Sequence, residues 1–174
     1  DGEDGATLLR CADSAMYFAK ESGRNNYRFF TSQLNARAQR RYLLEKNMRR
    51  ALTHHEFQLH YQPKVDLNTG IIVGAEALLR WNNPDAGLVP PGDFIPIAEE
   101  TGLIVQIGQW ALEQACRQAA EWRKQMAPDL RIAVNLSARQ FQDEHLQESG
   151  TDILHRTALP GHALELEITE SLLM

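Results

Sequence analysis

The chain has 174 residues, 43% of them hydrophobic and 24% charged, which is the balance of a globular domain and excludes a collagen-like, low-complexity or disordered chain. Eighteen Lys and Arg against 23 Asp and Glu leave a formal net charge of −5. That argues against a DNA or RNA polymer as partner, since such binding rests on many phosphate contacts, but a small nucleotide stays open because one Arg can serve one phosphate.

No apolar run nears the ~20 residues that span a bilayer, so no transmembrane segment is expected in this chain. The acidic start Asp1-Gly2-Glu3-Asp4 does not resemble a targeting signal. Cys11 and Cys116 lie far apart in helical patterns, as reduced thiols of a cytoplasmic protein would. Asp1 is no initiator Met, and Met174 follows at once on a strand pattern. The expectation is a fragment of a longer protein, in which any membrane anchor belongs to other regions.

Leu8, Leu9, Ala12, Ala15, Met16 and Ala19 recur at helical spacing and predict a helix over 6–21, stopped at Gly23. Tyr27-Arg28-Phe29-Phe30 is short, aromatic and strand-like. One helix and one strand bury no core alone, so residues 1–31 read as the remnant of an α+β domain. Residues 32–55 read as a linker helix with Ser32 as its N-cap. Its basic face (Arg37, Arg40, Arg41, Lys46, Arg49, Arg50) suits solvent, or else a phosphate or membrane surface.

From Glu56 the period changes to two. Leu59, Tyr61, Pro63, Val65 and Leu67 alternate with polar residues, Asn68-Thr69-Gly70 is a turn, and 71–80 is β-rich. The tight connection makes these two strands antiparallel neighbours. A loop is expected over 82–92, a short helical turn over 93–99, a break at Gly102 and a long amphipathic helix over 103–126. Strands at 131–136 and 164–170 flank a polar, helix-capable stretch at about 138–158. Strand, helix, strand, helix, strand is the rhythm of a parallel α/β protein. Residues 56–174 provide roughly half of the ~250 residues in a complete eight-stranded barrel. The expected fold class is therefore α/β, a partial TIM-like barrel with an antiparallel first strand.

Alternation puts Glu76 and Arg80 on one face of their strand. Asn135 falls on the Ala133 face of the next, and Glu170 shares the parity of Leu164, Leu166 and Ile168. All lie near C-terminal strand ends, where parallel α/β folds bind ligands. Two carboxylates and an amide oxygen suit a hard cation such as Mg²⁺ or Mn²⁺, and Arg80 could hold a phosphate beside it. Structural roles fit the same residues: Glu76 as salt-bridge partner of Arg80, Asn135 as a helix cap, Glu170 as an exposed strand end. Trp81 suits the core or, following Arg80 directly, a guanine pocket. Glu167, opposite in parity to Glu170, suits a surface salt bridge or a place behind the metal ligands.

Gly74-Ala75-Glu76-Ala77-Leu78-Leu79-Arg80-Trp81 resembles the signature of the EAL domain family. Four further blocks resemble that family in the right order: Tyr61-Gln62-Pro63, the segment from Phe94 to Gly102, Val134-Asn135-Leu136-Ser137 with Gln140, and Glu167-Ile168-Thr169-Glu170-Ser171. Ala12-Asp13-Ser14-Ala15-Met16-Tyr17, with Gly23-Arg24-Asn25, resembles the end of a GGDEF domain.

The resemblance implies a barrel phosphodiesterase that hydrolyses cyclic di-GMP to linear pGpG with Mg²⁺ or Mn²⁺, two ions in the complete domain. It implies Glu76, Asn135 and Glu170 as catalytic metal ligands. Gln62, Leu79, Arg80 and Gln140 become substrate-binding positions, and a homodimer through this domain is implied for the full-length protein. The family's Asp-Asp block, catalytic Lys and later Glu and Gln would fall beyond residue 174, so this chain alone is expected to be inactive. The alternative is an EAL module that binds cyclic di-GMP without cleaving it.

Overall fold

A computed structural model of the chain describes residues 4–21, 23, 25–125 and 127–168. The chain divides into two compact units, 1–47 and 48–174.

In the first unit, α1 spans Gly5–Glu21, and α2 runs over Ser32–Ala51, its last turn belonging to the second unit. The Ser32 side chain, the expected cap, lies outside the described residues. Arg37 and Arg41 of the basic face lie over the rings of Phe18 and Tyr17, each 5.8 Å from the centroid. Cation–π contact thus engages two of the cations that sequence reasoning left to solvent or phosphate. The strand expected at Tyr27–Phe30 is absent: these residues are irregular and mostly exposed. Strand propensity needs a partner ladder, and among the described residues none pairs here.

The second unit is a mixed α/β structure. Its elements are β1 (Phe57–Val65), β2 (Ile72–Asn83), β3 (Gly87–Val89), α3 (Pro91–Thr101), α4 (Leu103–Gln125), β4 (Arg131–Leu136), α5 (Ala138–Phe141), α6 (Leu146–Thr157) and β5 (Leu164–Ile168). The strand order is β1-β2-β4-β5, with β3 also paired to β2. β1 and β2 are antiparallel, in register Phe57↔Trp81 through Pro63↔Ala75. β2–β4 and β4–β5 are parallel, as crossovers through α4 and through α5–α6 require.

The β1–β2 turn is built by Asp66, whose carboxylate accepts from the backbone N–H of Asn68 and Thr69, both at 2.9 Å. Gly70 then takes φ 70°, a conformation L side chains rarely adopt. The expected loop at 82–92 contains β3, a strand that exists through its pairing with Trp81–Asn83. The helical turn expected at 93–99 is a full helix from Pro91, where proline's missing N–H costs nothing. It ends at Gly102, φ 82°. The polar stretch 138–158 splits into α5 and α6.

Alternation sorts the sheet into two faces. Ala75, Ala77, Ile132 and Val134 pack with Leu112, Ala115, Cys116 and Ala119 of α4 and Ile153 of α6, with Leu59 and Tyr61 of β1 against them. Apolar surface buried on this helix-covered side contributes ~25 cal/mol per Å² to folding. Residues of the other parity face away from the helices.

Candidate active site

The helix-free face carries the polar side chains. Register brings Gln62 opposite Glu76, Glu76 beside Ala133, and Asn135 beside Glu167. Asn135 reaches diagonally back across the ladder, its Nδ2 donating to Glu76 Oε1 at 2.6 Å. Asn135 and Glu167 each stand one residue before the last described residue of their strands. Glu76 lies within Gly74–Ala77, the stretch that pairs with β4. The three converge toward the C-terminal side of the parallel ladder, where such sheets hold ligands.

The open alternatives resolve residue by residue. Glu76 bonds Asn135, while the Arg80 guanidinium donates to the Leu79 carbonyl at 2.8 Å, so the two do not pair with each other. Ser137, not Asn135, caps α5: its Oγ accepts from Gln140 N, and the Gln140 side chain returns to Ser137 in a capping box. Trp81 is fully buried, against Phe57 and Phe94, in the core rather than a guanine pocket.

Two of the expected substrate-binding positions carry structural contacts. Leu79 pairs with Leu59 on the helix-side face, so its side chain does not join Arg80. Gln140 is 6% exposed, committed to the capping box, and packed so closely on Gly108 that a Cβ there would overlap its amide. Glu170 lies outside the described residues.

The carboxylate that register sets beside Asn135 is Glu167, because Leu166 and Ile168 line up with Val134 and Leu136 of the other parity. Strand-by-strand alternation could not reveal this: parity within β5 becomes a face only once its register against β4 is known. Sequence reasoning also passed over Lys64, whose Nζ donates to Glu167 at 2.6 Å and to Glu165 at 3.3 Å. The hydrogen bond to Glu167 holds its pKa above the usual lysine value. Arg131 adds a 3.1 Å contact to Glu165.

Among the described residues no three His, Cys, Asp or Glu side chains are arranged as a metal group. What is assembled is one carboxylate with one amide, and a second carboxylate in register beside them. Turning the Asn135 amide by half a turn presents its oxygen instead of its nitrogen. That donor set is all oxygen, the preference of a hard divalent cation. An apolar groove among Tyr61, Ile72, Trp122, Leu130 and Arg131 opens at the opposite, N-terminal end of the parallel strands and includes none of these residues.

The chain is 49% identical over all 174 residues to the bifunctional diguanylate cyclase/cyclic di-GMP phosphodiesterase MucR of Pseudomonas aeruginosa, covering 25% of that protein. It is 41% identical over 173 residues to the cyclic di-GMP phosphodiesterase PdeR of Escherichia coli, covering 99% of this chain and 26% of PdeR. The chain thus spans about a quarter of the length of these curated relatives. Among solved structures, the MucR phosphodiesterase in its c-di-GMP complex superposes with a TM-score of 0.73 at 49% identity, over 76% of this chain and 53% of that one. The FimX EAL domain of Xanthomonas citri in complex with c-diGMP gives 0.67 at 27% identity, over 80% and 53%. The family model described as "EAL domain" matches residues 45–174, and with that match over most of its length the chain belongs to the EAL domain family.

Proposed function

We propose that the protein containing this chain hydrolyses cyclic di-GMP to linear pGpG with the help of Mg²⁺ or Mn²⁺. The observation that carries the reading is the 2.6 Å approach of Asn135 to Glu76, with Glu167 in register beside Asn135, on the sheet face opposite the packed core. Kinship with MucR and PdeR supports the substrate.

Glu76, Asn135 and Glu167 would hold the cation, Glu167 taking the place that motif matching gives to Glu170. When bound, a divalent ion supplies positive charge against the phosphate oxygens. Arg80, three residues beyond Ala77 where the parallel pairing with β4 ends, would exchange its Leu79 carbonyl for a phosphate oxygen, a stronger, charge-assisted partner. Gln62, opposite Glu76, offers an amide to the bound dinucleotide. The helices behind the sheet keep these groups fixed while contributing none of the chemistry.

The same reading takes residues 56–174 as the first part of a (β/α) barrel and 32–55 as a linker. Residues 1–31 become a GGDEF remnant, and the full-length protein a cytoplasmic homodimer with its two thiols reduced. Lys64 favours one second reading: its ion pair occupies Glu167, as in a module that binds the dinucleotide without cleaving it. The test is product analysis with purified full-length protein. Linear pGpG formed with Mg²⁺ or Mn²⁺, and lost in Glu76→Gln, supports the hydrolase. Tight cyclic di-GMP binding with no product at saturating metal supports the binding module.

A further inference from the structure

Glu56 is the buried carboxylate that the reading above leaves unused. It is 6% exposed and stands between the end of α2 and the start of β1. Its Oε2 accepts from the Trp81 indole Nε1 at 3.0 Å, and its Oε1 lies 3.6 Å from Arg50 Nε. Its backbone makes two more ties: its N–H donates to Ala51 O at 3.1 Å and its carbonyl accepts from Asn82 N at 2.8 Å. One residue thus binds the last turn of α2 to the two residues that follow Arg80.

A buried carboxylate is costly unless donors meet it. A core Trp needs only one neutral acceptor for its indole, which a backbone carbonyl could supply. A carboxylate in that role makes the bond charge-assisted, and so stiffer. Trp81 is in turn wedged at 5.7 Å from Phe57 and 5.6 Å from Phe94, measured between ring centroids. With Trp81 locked on the helix side, alternation leaves Arg80 one direction in which to project: onto the face of Gln62 and Glu76.

We infer that Glu56 is a positioning residue that acts through Trp81 to hold Arg80 in its phosphate-binding place. The inference rests on the proposed role of Arg80 and deepens it.

The experiment is a double-mutant cycle in the full-length protein, reading KM and kcat for cyclic di-GMP and the melting temperature of each variant. Glu56→Ala is expected to raise KM about tenfold or more with kcat within about threefold. Glu56→Gln, which keeps an acceptor for the indole, is expected to restore most of that loss. In an Arg80→Ala background, Glu56→Ala should raise KM by less than about twofold further, because both act on one contact. Trp81→Phe, which keeps the ring and removes the donor, runs the same cycle should Glu56→Ala not fold. Independent, multiplying effects of the Glu56 and Arg80 substitutions overturn the assignment. So does a loss confined to melting temperature with KM unchanged. A wild type that neither binds nor cleaves cyclic di-GMP overturns instead the functional reading, and the role of Glu56 with it.

Discussion

Lys64 on β1 and Glu167 on β5 meet at 2.6 Å although two other strands, β2 and β4, lie between theirs. In a flat sheet, strands three places apart are separated by ~14 Å, and side chains that stand roughly perpendicular to the sheet do not close that gap. The sheet is therefore strongly concave on its polar side, the direction in which a barrel closes. The ion pair also places a cation against a proposed metal ligand. Lys64→Met should tighten Mn²⁺ binding by roughly two- to fivefold, read by titration of the full-length protein. The pair is more than a third exposed at both partners, so the stability cost should stay under ~1 kcal/mol. Unchanged or weakened Mn²⁺ affinity would show that Glu167 does not serve the ion.

Neighbours on β2 should separate chemistry from packing. Glu76→Gln is expected to lower the rate of cyclic di-GMP hydrolysis by about a hundred- to a thousandfold while shifting the melting temperature by no more than about 2 °C. Leu79→Ala, on the helix-side face against Leu59, is expected to cost about 2 kcal/mol in denaturant unfolding and to leave KM within about twofold. The reverse pattern would mean that the two faces are exchanged.

Gly108 and Gln140 form a second pair. Gly108→Ala gains helix propensity, worth up to ~1 kcal/mol, but drives a methyl into the Gln140 amide, so a net loss of about 1–3 kcal/mol is expected. Gln140→Ala removes half of the capping box at a cost of about 1 kcal/mol. Together the two should cost less than their sum, because shortening Gln140 makes room for the methyl. Additive losses from urea melts would refute the contact.

The thiol of Cys116 is fully buried, and desolvation, aided by the Glu113 charge, pushes its pKa up from 9.0 to about 11. Its folded pKa lies above the unfolded one. The stabilisation is therefore complete below pH 9 and is lost as pH rises from about 9 through about 11. At pH 8 the native protein should hold about a hundredfold less thiolate at Cys116 than an exposed cysteine would. Labelling with a thiol reagent in a Cys11→Ser variant should be slow until denaturant is added. Fast labelling of the native protein would contradict the burial.

Much of this fold was legible because its signals are local. The apolar run at 131–136 marks β4, Gly102 separates α3 from α4, and the apolar stripe from Leu103 onward marks a helix. What escaped was set by partners distant in sequence. β3 exists because Trp81–Asn83 extends far enough to pair with it, whereas Tyr27–Phe30 has the composition of a strand and no such neighbour. The site divides in the same way. That Glu76 and Asn135 share one face, where they meet, was legible from alternation. Glu167 needed the β4–β5 register. The capping role and burial of Gln140 escaped because a motif records which residue is present, not what it packs against.

The separation of the two sheet faces has an evolutionary consequence. The odd-numbered positions of β2 from Ala75 to Trp81 face the packed core and the even-numbered Glu76 and Arg80 face the proposed site, so a mutation at Glu76 can remove the proposed chemistry and leave the core intact. A descendant that loses Glu76 or Asn135 would keep the shaped face and, under the function proposed here, could go on binding the dinucleotide without cleaving it. A single-residue deletion between Gly74 and Arg80 would transpose both inheritances at once, and no such lineage should survive.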